Sequence, residues 1–549
     1  MRVIDSRRMT GSNLYTREPG VVIDVAFDDD PHDPHAVVAA WRRAVARVLP
    51  WPGELHVRHY QGGAALFVPG PLDVLMPLTD LNEWAVACAE AEVGGRALPS
   101  LDPAVLAMIR EAHVPGLAEL IRAARAHDLP LLVDDEAITL GSGPTQLRFA
   151  RQGPLPAAAA IDWSALGRIP IGIITGTNGK TTTTRLVARM ARASGRIPGI
   201  TSSDGVAVDE QLVHRGDFSG PEGTRLVLRH PAVEIAILET ARGGILRRGL
   251  TVERCDAAVI TNVSADHLGD YGIDDVATMA RVKAVVGRDA RTVVLNADDP
   301  ALVAIAPSFA GEVVWFARHP RPGIAWTVRD GQLVHRDRPL VAIDRIPITF
   351  GGRATYNLEN ALAAAALAHA LGLPDAAIVA GLCGFTSSSE DNPGRGNLFE
   401  VGGVSVLLDF GHNPAAIRGV LVLARGLLAQ RGAGALRVTI GMPGDRLDAE
   451  LHEVAREVAA GDPAQVIVRE LPAELLRGRG PGAVPDLLAA GLREHGVSEI
   501  AFAATEVDAV ERALADAQPG DLVLVLAHLD RAVDELLTGA AASSTPSGS

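Results

Sequence analysis

Cysteine is scarce here: Cys88, Cys255 and Cys383 are the only three in 549 residues, and they lie far apart. That leaves no disulfide framework and no metal-ligand spacing, so each is expected to be a small buried apolar residue in a reducing cytoplasm. No apolar run approaches the roughly 18 residues that a membrane helix needs. Residues 1–8 carry three arginines and no apolar core, unlike a secretion signal. An excess of basic charge is missing as well. The formal net charge is −15, and general nucleic-acid binding requires Lys and Arg gathered against phosphates. A local basic pocket stays compatible with that balance. What is present is a composition of 48% hydrophobic and 21% charged residues, that of a globular protein long enough for three or four domains.

The fold class expected is α/β in three domains. Residues 1–165 read as an α+β N-terminal domain, with strands near 21–27 and 55–60 and amphipathic helices near 36–48 and 115–127. An acidic turn, Asp28 to His35, joins a strand to a helix; its histidines suit a metal, but a solvated loop is the better reading. Gly153-Pro154-Leu155-Pro156 and the alanines after it read as a linker. Residues 166–385 alternate strands (171–174, 234–238, 257–261, 292–295) with helices, the pattern of a parallel sheet with crossover helices. Residues 386–538 repeat the alternation with strands at 405–408, 437–440, 465–468, 499–502 and 522–526, a Rossmann-like domain. The small polar residues 539–549 are expected to be a disordered tail.

The stretch around which the chain is organised is Ile171 to Thr184. An apolar strand feeds Gly176-Thr177-Asn178-Gly179-Lys180-Thr181-Thr182, and a helical pattern follows. Glycine lets backbone N–H groups approach phosphate oxygens, and the helix start offers the positive end of its dipole. Lys180 is placed to reach the β- and γ-phosphates, and the Thr181 hydroxyl to ligate Mg²⁺. Glu239 ends a later strand of the same sheet, where a carboxylate suits Mg²⁺. His267, after the next strand, is a potential ligand for a second metal, with Asp266 beside it. Lys283 lies on the following helix, and its spacing alone reads as a solvated lysine. Asn296, Asn357 and Asn360 either contact a nucleotide base or cap turns. Arg395 follows a Pro-Gly pair and suits a phosphate; Asp409, at a strand end, suits a ribose hydroxyl. Arg446, Arg477 and Arg479 sit on loops after strands. Arg242, Arg247 and Arg248 follow Glu239 and could meet a carboxylate substrate or pair with surface acids.

Taken together, segments 175–184, 204–206, 216–221, 238–249, 261–269, 295–300, 392–397, 409–414, 441–446 and 477–480 resemble the Mur ligase family. More narrowly they resemble the Mur-type half of the cyanophycin synthetases, whose N-terminus residues 7–15 also resemble. The resemblance covers roughly residues 165–530 and implies an ATP-dependent amide ligase working through an acyl phosphate, with ATP and Mg²⁺. It implies ATP contacts for Asn360, Arg395 and Asp409, and for Lys283 a carbamylated side chain that helps hold the second Mg²⁺. It further implies a carboxylate substrate, an acidic amino acid or peptide, and an amino-acid amine, because the cyanophycin synthetases attach arginine to an aspartate side chain. The segment before the loop is too short for the ATP-grasp module those enzymes carry there, so one kind of amide bond is expected. Glu470-Leu471-Pro472 stands before Arg477 in place of the paired acids expected of the polymerase. The alternative is a P-loop ATPase or kinase, or a partner subunit of a split synthetase. No membrane or nucleic-acid partner is expected, and a homo-oligomer is compatible with the sequence.

Overall fold

The computed structural model describes residues 1–27, 33–49, 51, 53–528 and 530–544. Most of the acidic turn expected as a solvated loop, 28–32, and the last five residues lie outside the described residues. Two compact units are present: Met1–Phe316 with Gly323–Ala325 and Ala363–Ile378, and Ala317–Pro322 with Trp326–Leu362 and Val379–Ser549.

The first unit begins with a four-stranded antiparallel sheet in the order Arg2–Met9, Gly20–Ala26, Gly63–Pro69, His56–Tyr60. Alternation sorts its two faces. Val21, Ile23 and Val25 pack with Trp41, Leu78 and Leu81 from the helices Pro34–Val48 and Leu75–Val93. Val22 faces the other way, with Met9, Ala65 and Phe67. A small sheet follows, Leu131–Val133, Ala137–Ser142 and Thr145–Ala150. The stretch expected as a linker is no free tether. Leu155, Ala158, Trp163 and Leu166 pack against Leu120 and Leu140, because its apolar residues have a core to join.

Eight strands of the central sheet fall in this unit, ordered Gln211–Arg215, Gly205–Val208, Pro198–Thr201, Ile235–Glu239, Ile171–Thr175, Cys255–Ile260, Ala290–Asn296, Glu312–Phe316. The last six run parallel, and the first two form an antiparallel edge hairpin. Ile171–Thr175 and Ile235–Glu239 are buried along their whole length, as parallel strands covered on both faces should be. The four expected strands are present to within two residues at each end, and 198–201, 205–208, 211–215 and 312–316 add four that were not expected.

The second unit holds an antiparallel meander, Trp326–Arg329, Gln332–His335 and Arg338–Ala342. Its larger sheet runs Arg395–Val401, Val404–Asp409, Leu522–Leu526, Leu436–Ile440, Gln465–Arg469, Ile500–Ala503. Five of these strands are parallel, and Arg395–Val401 is an antiparallel edge. Apolar clusters cover both faces. The closing helix Asp530–Ser544 contains residues 539–544, which were expected to begin a disordered tail. Val533 and Leu537 are fully buried and anchor that helix, and three successive alanines carry it on. Cys88 and Cys255 are buried as expected, while Cys383 is half-buried. Among the described residues no helix is long and apolar enough to cross a membrane.

Candidate functional site

The strand Ile171–Thr175 ends in the glycine loop, and the helix Lys180–Ala193 starts from it. Gly176 has φ +154°, and a Cβ there would lie 1.9 Å from Thr261 Oγ1. Gly179, at φ +84°, is the left-handed residue from which the helix springs. The segment after strand Cys255–Ile260 braces the loop. Asn178 N–H donates to Asn262 Oδ1 (2.9 Å), Asn262 Nδ2 donates to Asn178 O (3.1 Å), and Thr261 Oγ1 donates to Asn178 O (2.6 Å). Thr177 N–H donates to Asn262 O (2.9 Å), and Ser264 N–H to Thr177 Oγ1 (3.0 Å). Lys180 Nζ folds over the loop and donates to Gly176 O (3.2 Å) and Thr177 O (3.0 Å). Thr182 is buried on the first turn.

Glu239 pairs in register with Ile174, so its strand lies beside the one that feeds the loop. Thr181 Oγ1 donates to Glu239 Oε2 at 2.8 Å, and both side chains are buried. A hydroxyl and a carboxylate next to a phosphate-type loop are hard oxygen donors, a set that fits Mg²⁺. On the other side of the loop strand, His267 sits at φ +52° with Asp266 and Asp270 carboxylates 3.9 and 3.7 Å from its ring nitrogens. Arg242 holds this turn by donating to His267 O (3.1 Å) and Asp270 Oδ2 (2.8 Å). Arg242 is thus committed within the loop, whereas Arg247 and Arg248 on the same short helix are exposed.

Lys283 overturns its local reading. It is 3% exposed, not solvated. Burial, reinforced by the nearby Lys180 charge and opposed by Asp266, pulls its ammonium down to about 7. A signal for this residue was present in the composition: of 51 Lys and Arg residues, only Lys180 and Lys283 are lysines. A chain that uses arginine for every other cation keeps lysine where a compact ammonium or a neutral amine is needed, because a guanidinium cannot lose its proton.

Asn296 is buried, and its Oδ1 accepts from Asp298 N–H at 2.9 Å, the turn-capping role its local pattern gave. Asp299 was not singled out from sequence, yet its Oδ2 accepts from Val263 N–H (2.6 Å) and ties this turn to the loop-bracing segment.

The remaining nucleotide candidates lie in the second unit. Asn360 Nδ2 donates to Asn357 Oδ1 (3.1 Å), and Asn357 Nδ2 donates to Ile348 O (3.0 Å), a buried relay at the start of helix Thr355–Ala370. Arg395 and Asp409 are direct cross-strand partners, and the Arg395 guanidinium lies 5.9 Å over the Phe410 ring. Burial pushes the Asp409 carboxyl up to about 7, against the pull of Arg395 and the Gly396 and Gly411 amides. Because the folded value exceeds the unfolded one, this group stabilises the fold at low pH. That contribution is lost as pH rises from about 4 through about 7. Asp409→Asn is therefore expected to flatten the pH dependence of the melting temperature over that window; an unchanged profile would count against it. Arg477 pairs with Asp445, and Arg479 with Asp448 (2.7 Å) and Gly444 O (2.8 Å), bracing the loop that carries Arg446.

Comparison with known proteins fits this geometry. Residues 174–368 match the Mur ligase middle domain, and residues 394–529 match the Mur ligase, glutamate ligase domain. A cyanophycin synthetase of Synechocystis sp. is 39% identical over 376 residues, 65% of this chain and 42% of that protein. The chain thus spans well under half the length of such relatives. A UDP-N-acetylmuramyl-tripeptide synthetase of Deinococcus radiodurans is 29% identical over 406 residues, 70% of this chain and 79% of that one. Among solved structures, a bifunctional folylpolyglutamate synthase/dihydrofolate synthase with Mn, AMPPNP and L-glutamate bound aligns with a TM-score of 0.51 at 23% identity. That alignment covers 67% of this chain and 89% of that one, and it shows a shared fold.

Proposed function

From the premise that this chain belongs to the Mur ligase family, we propose that it is an ATP-dependent ligase joining an amino acid to a carboxylate by an amide bond. The observation that carries the reading is the 2.8 Å contact between Thr181, on the first helical turn beside Lys180, and Glu239, at the end of the strand next to the one that feeds the phosphate-type loop. In this reading the loop N–H groups and Lys180 cradle the ATP phosphates. A substrate carboxylate attacks the γ-phosphorus, and the P–O bond to ADP breaks. The amine then attacks the acyl carbon, phosphate leaves, and the amine gives up a proton. Thr181, Glu239, His267 and a carbamylated Lys283 would hold Mg²⁺, which supplies neutralisation of the charge building on the phosphoryl oxygens. Asn360, Arg395 and Asp409 are proposed as nucleotide contacts on the strength of the resemblance, and Asn296 from its place at the end of a strand.

The proposed acceptor is a carboxylate on an acidic amino acid or peptide, and the proposed donor is an amino acid, a basic one by analogy with the cyanophycin synthetases. Arg247 and Arg248, exposed on the short helix that follows Glu239 in sequence, are the cations proposed to meet such an acid. ADP release should be measured with ATP, Mg²⁺ and short aspartate-containing peptides, adding each amino acid in turn and identifying products by mass spectrometry. Stimulation by at least one amino acid, with an amide product, is expected. Turnover that no amine stimulates would favour a plain ATPase, and stimulation only by another acceptor class would overturn the substrate assignment alone.

A further inference from the structure

The turn that carries His267 has little secondary structure of its own: one three-residue 3₁₀ turn, Asp270–Gly272, with Tyr271 off the helical region. His267, Gly269, Tyr271 and Gly272 all have positive φ, at +52°, +93°, +53° and +63°. Non-glycine residues rarely adopt that region and persist there only when their surroundings impose it. Arg242 grips one side of the turn. The other side is gripped from the N-terminal sheet, more than 200 residues away in sequence. Arg58 on strand His56–Tyr60 donates through Nη1 to Gly272 O (2.6 Å) and through Nη2 to Tyr271 O (2.5 Å). Arg7 on strand Arg2–Met9 lays its guanidinium over the Tyr271 ring at 4.6 Å and donates through Nε to Leu246 O (2.9 Å). Gln61 N–H donates to Asp274 Oδ2 (3.1 Å). The Tyr60 ring packs so closely on Gly272 that a Cβ there would fall 2.2 Å away.

The charge on this face is otherwise hard to explain. Arg7 is 4% exposed and Asp24 1%, and the two are paired at 2.5 Å. Arg58 Nε, Arg7 Nη2, Asp24 Oδ1 and Tyr15 Oη are all buried without a hydrogen-bond partner. A sheet face that served only packing would be more stable with apolar residues there, since buried ions are expensive. The two arginines instead aim at backbone carbonyls and a ring of the turn. We propose that the N-terminal domain is a clamp on the His267 turn, with Arg58 and Arg7 as positioning residues that fix the imidazole where the ligase reaction needs it.

This rests on the ligase reading only for the role of His267, so the test must separate the two. Mn²⁺ binding is measured by electron paramagnetic resonance in the presence of a non-hydrolysable ATP analogue, together with hydrogen exchange of the Gly269 amide, which donates to Ile273 O (2.9 Å). Arg58→Ala is expected to weaken the His267-dependent Mn²⁺ by about tenfold, the low end of what loss of a group that orients a metal ligand brings, because Arg58 acts on His267 through the backbone of the turn. Gly269 exchange should accelerate while the 176–184 loop stays protected. Arg58→Lys, which keeps the charge but lacks the fork, should fall between the two and covers the case in which Arg58→Ala fails to fold. If both variants fold and bind Mn²⁺ as the parent does, the clamp is wrong. If His267→Ala itself leaves Mn²⁺ binding unaltered, the clamp is overturned along with the metal role of His267. If the parent binds both metals but no amine stimulates ADP release, the ligase reading falls and the clamp stands.

Discussion

Lys180→Ala is expected to lower ADP release by ~10²-fold or more while leaving the melting temperature close to that of the parent. The stability half of the expectation follows from what Lys180 touches. Its ammonium, half-buried, donates only to Gly176 O and Thr177 O on its own loop. The loop keeps its shape through other contacts, from Asn262 and Thr261 to Asn178 and from Ser264 to Thr177. The activity half follows from position. The Nζ folds over the loop at the start of the helix Lys180–Ala193, so a phosphate drawn to the positive end of that helix meets the ammonium at close range. Charge stabilisation of that kind is worth several kcal/mol in a transition state. Lys180→Arg should not restore the rate, because a planar fork cannot take the place of a compact ammonium between two carbonyls about 3 Å away. Near-normal turnover by a folded Lys180→Ala protein would remove the assignment of this loop as the phosphate site.

The phosphate loop was legible because its chemistry is local. Strand, glycines, lysine and helix follow one another within some fifteen residues, and each constrains the next. Glu239 was legible for a related reason: a parallel sheet sends the carboxyl ends of its strands to one side, so an acid closing a neighbouring strand must arrive near the loop. Lys283 was not legible from spacing, because a helix exposes or buries a residue according to what packs on it, and the sequence does not state that. Arg58 was invisible for the strongest version of this reason. Its partners, Tyr271 and Gly272, lie 213 and 214 residues further on, and nothing in His56-Val57-Arg58-His59-Tyr60 marks the central residue as aimed at a backbone. The packing of the linker and the helix that runs to Ser544 went unseen because composition describes what a segment can do when alone. Leu155 and Leu537 found cores to enter, and the segments around them followed.

Incubation with ¹³C-bicarbonate is expected to give a single protein carbamate signal near neutral pH, absent in Lys283→Arg. The reason lies in the amine. Carbamylation joins a neutral amine nitrogen to the carbon of CO₂ and releases a proton, so a lysine at its ordinary value is almost wholly unreactive at pH 7. Lys283, drawn down to about 7 by burial and by Lys180, leaves roughly half of its amine neutral there. Acidification below 7 protonates it, so the signal and the activity should fall together on the acid side. The product is an anion, which reverses the electrostatic position of the side chain. A buried cation facing Lys180 becomes a buried carboxylate-like group that Lys180 and a metal both favour. Burial that is costly for the ammonium is therefore suited to the carbamate once Mg²⁺ is bound. Since Lys180 is the only other lysine, the two lysine variants assign the signal once the N-terminal α-amine, the other amine able to form a carbamate near neutral pH, is blocked. Lys283→Ala is expected to lose ~10²-fold or more in ADP release, the scale on which loss of a metal-holding anion is felt. Short-chain carboxylic acids that can occupy the vacated space should restore part of that loss. A folded Lys283→Ala protein that turns over normally, or a parent at full activity with no carbamate signal, would sink the idea. The first outcome would return Lys283 to a purely structural role. The second would leave Thr181, Glu239 and His267 as the whole metal set.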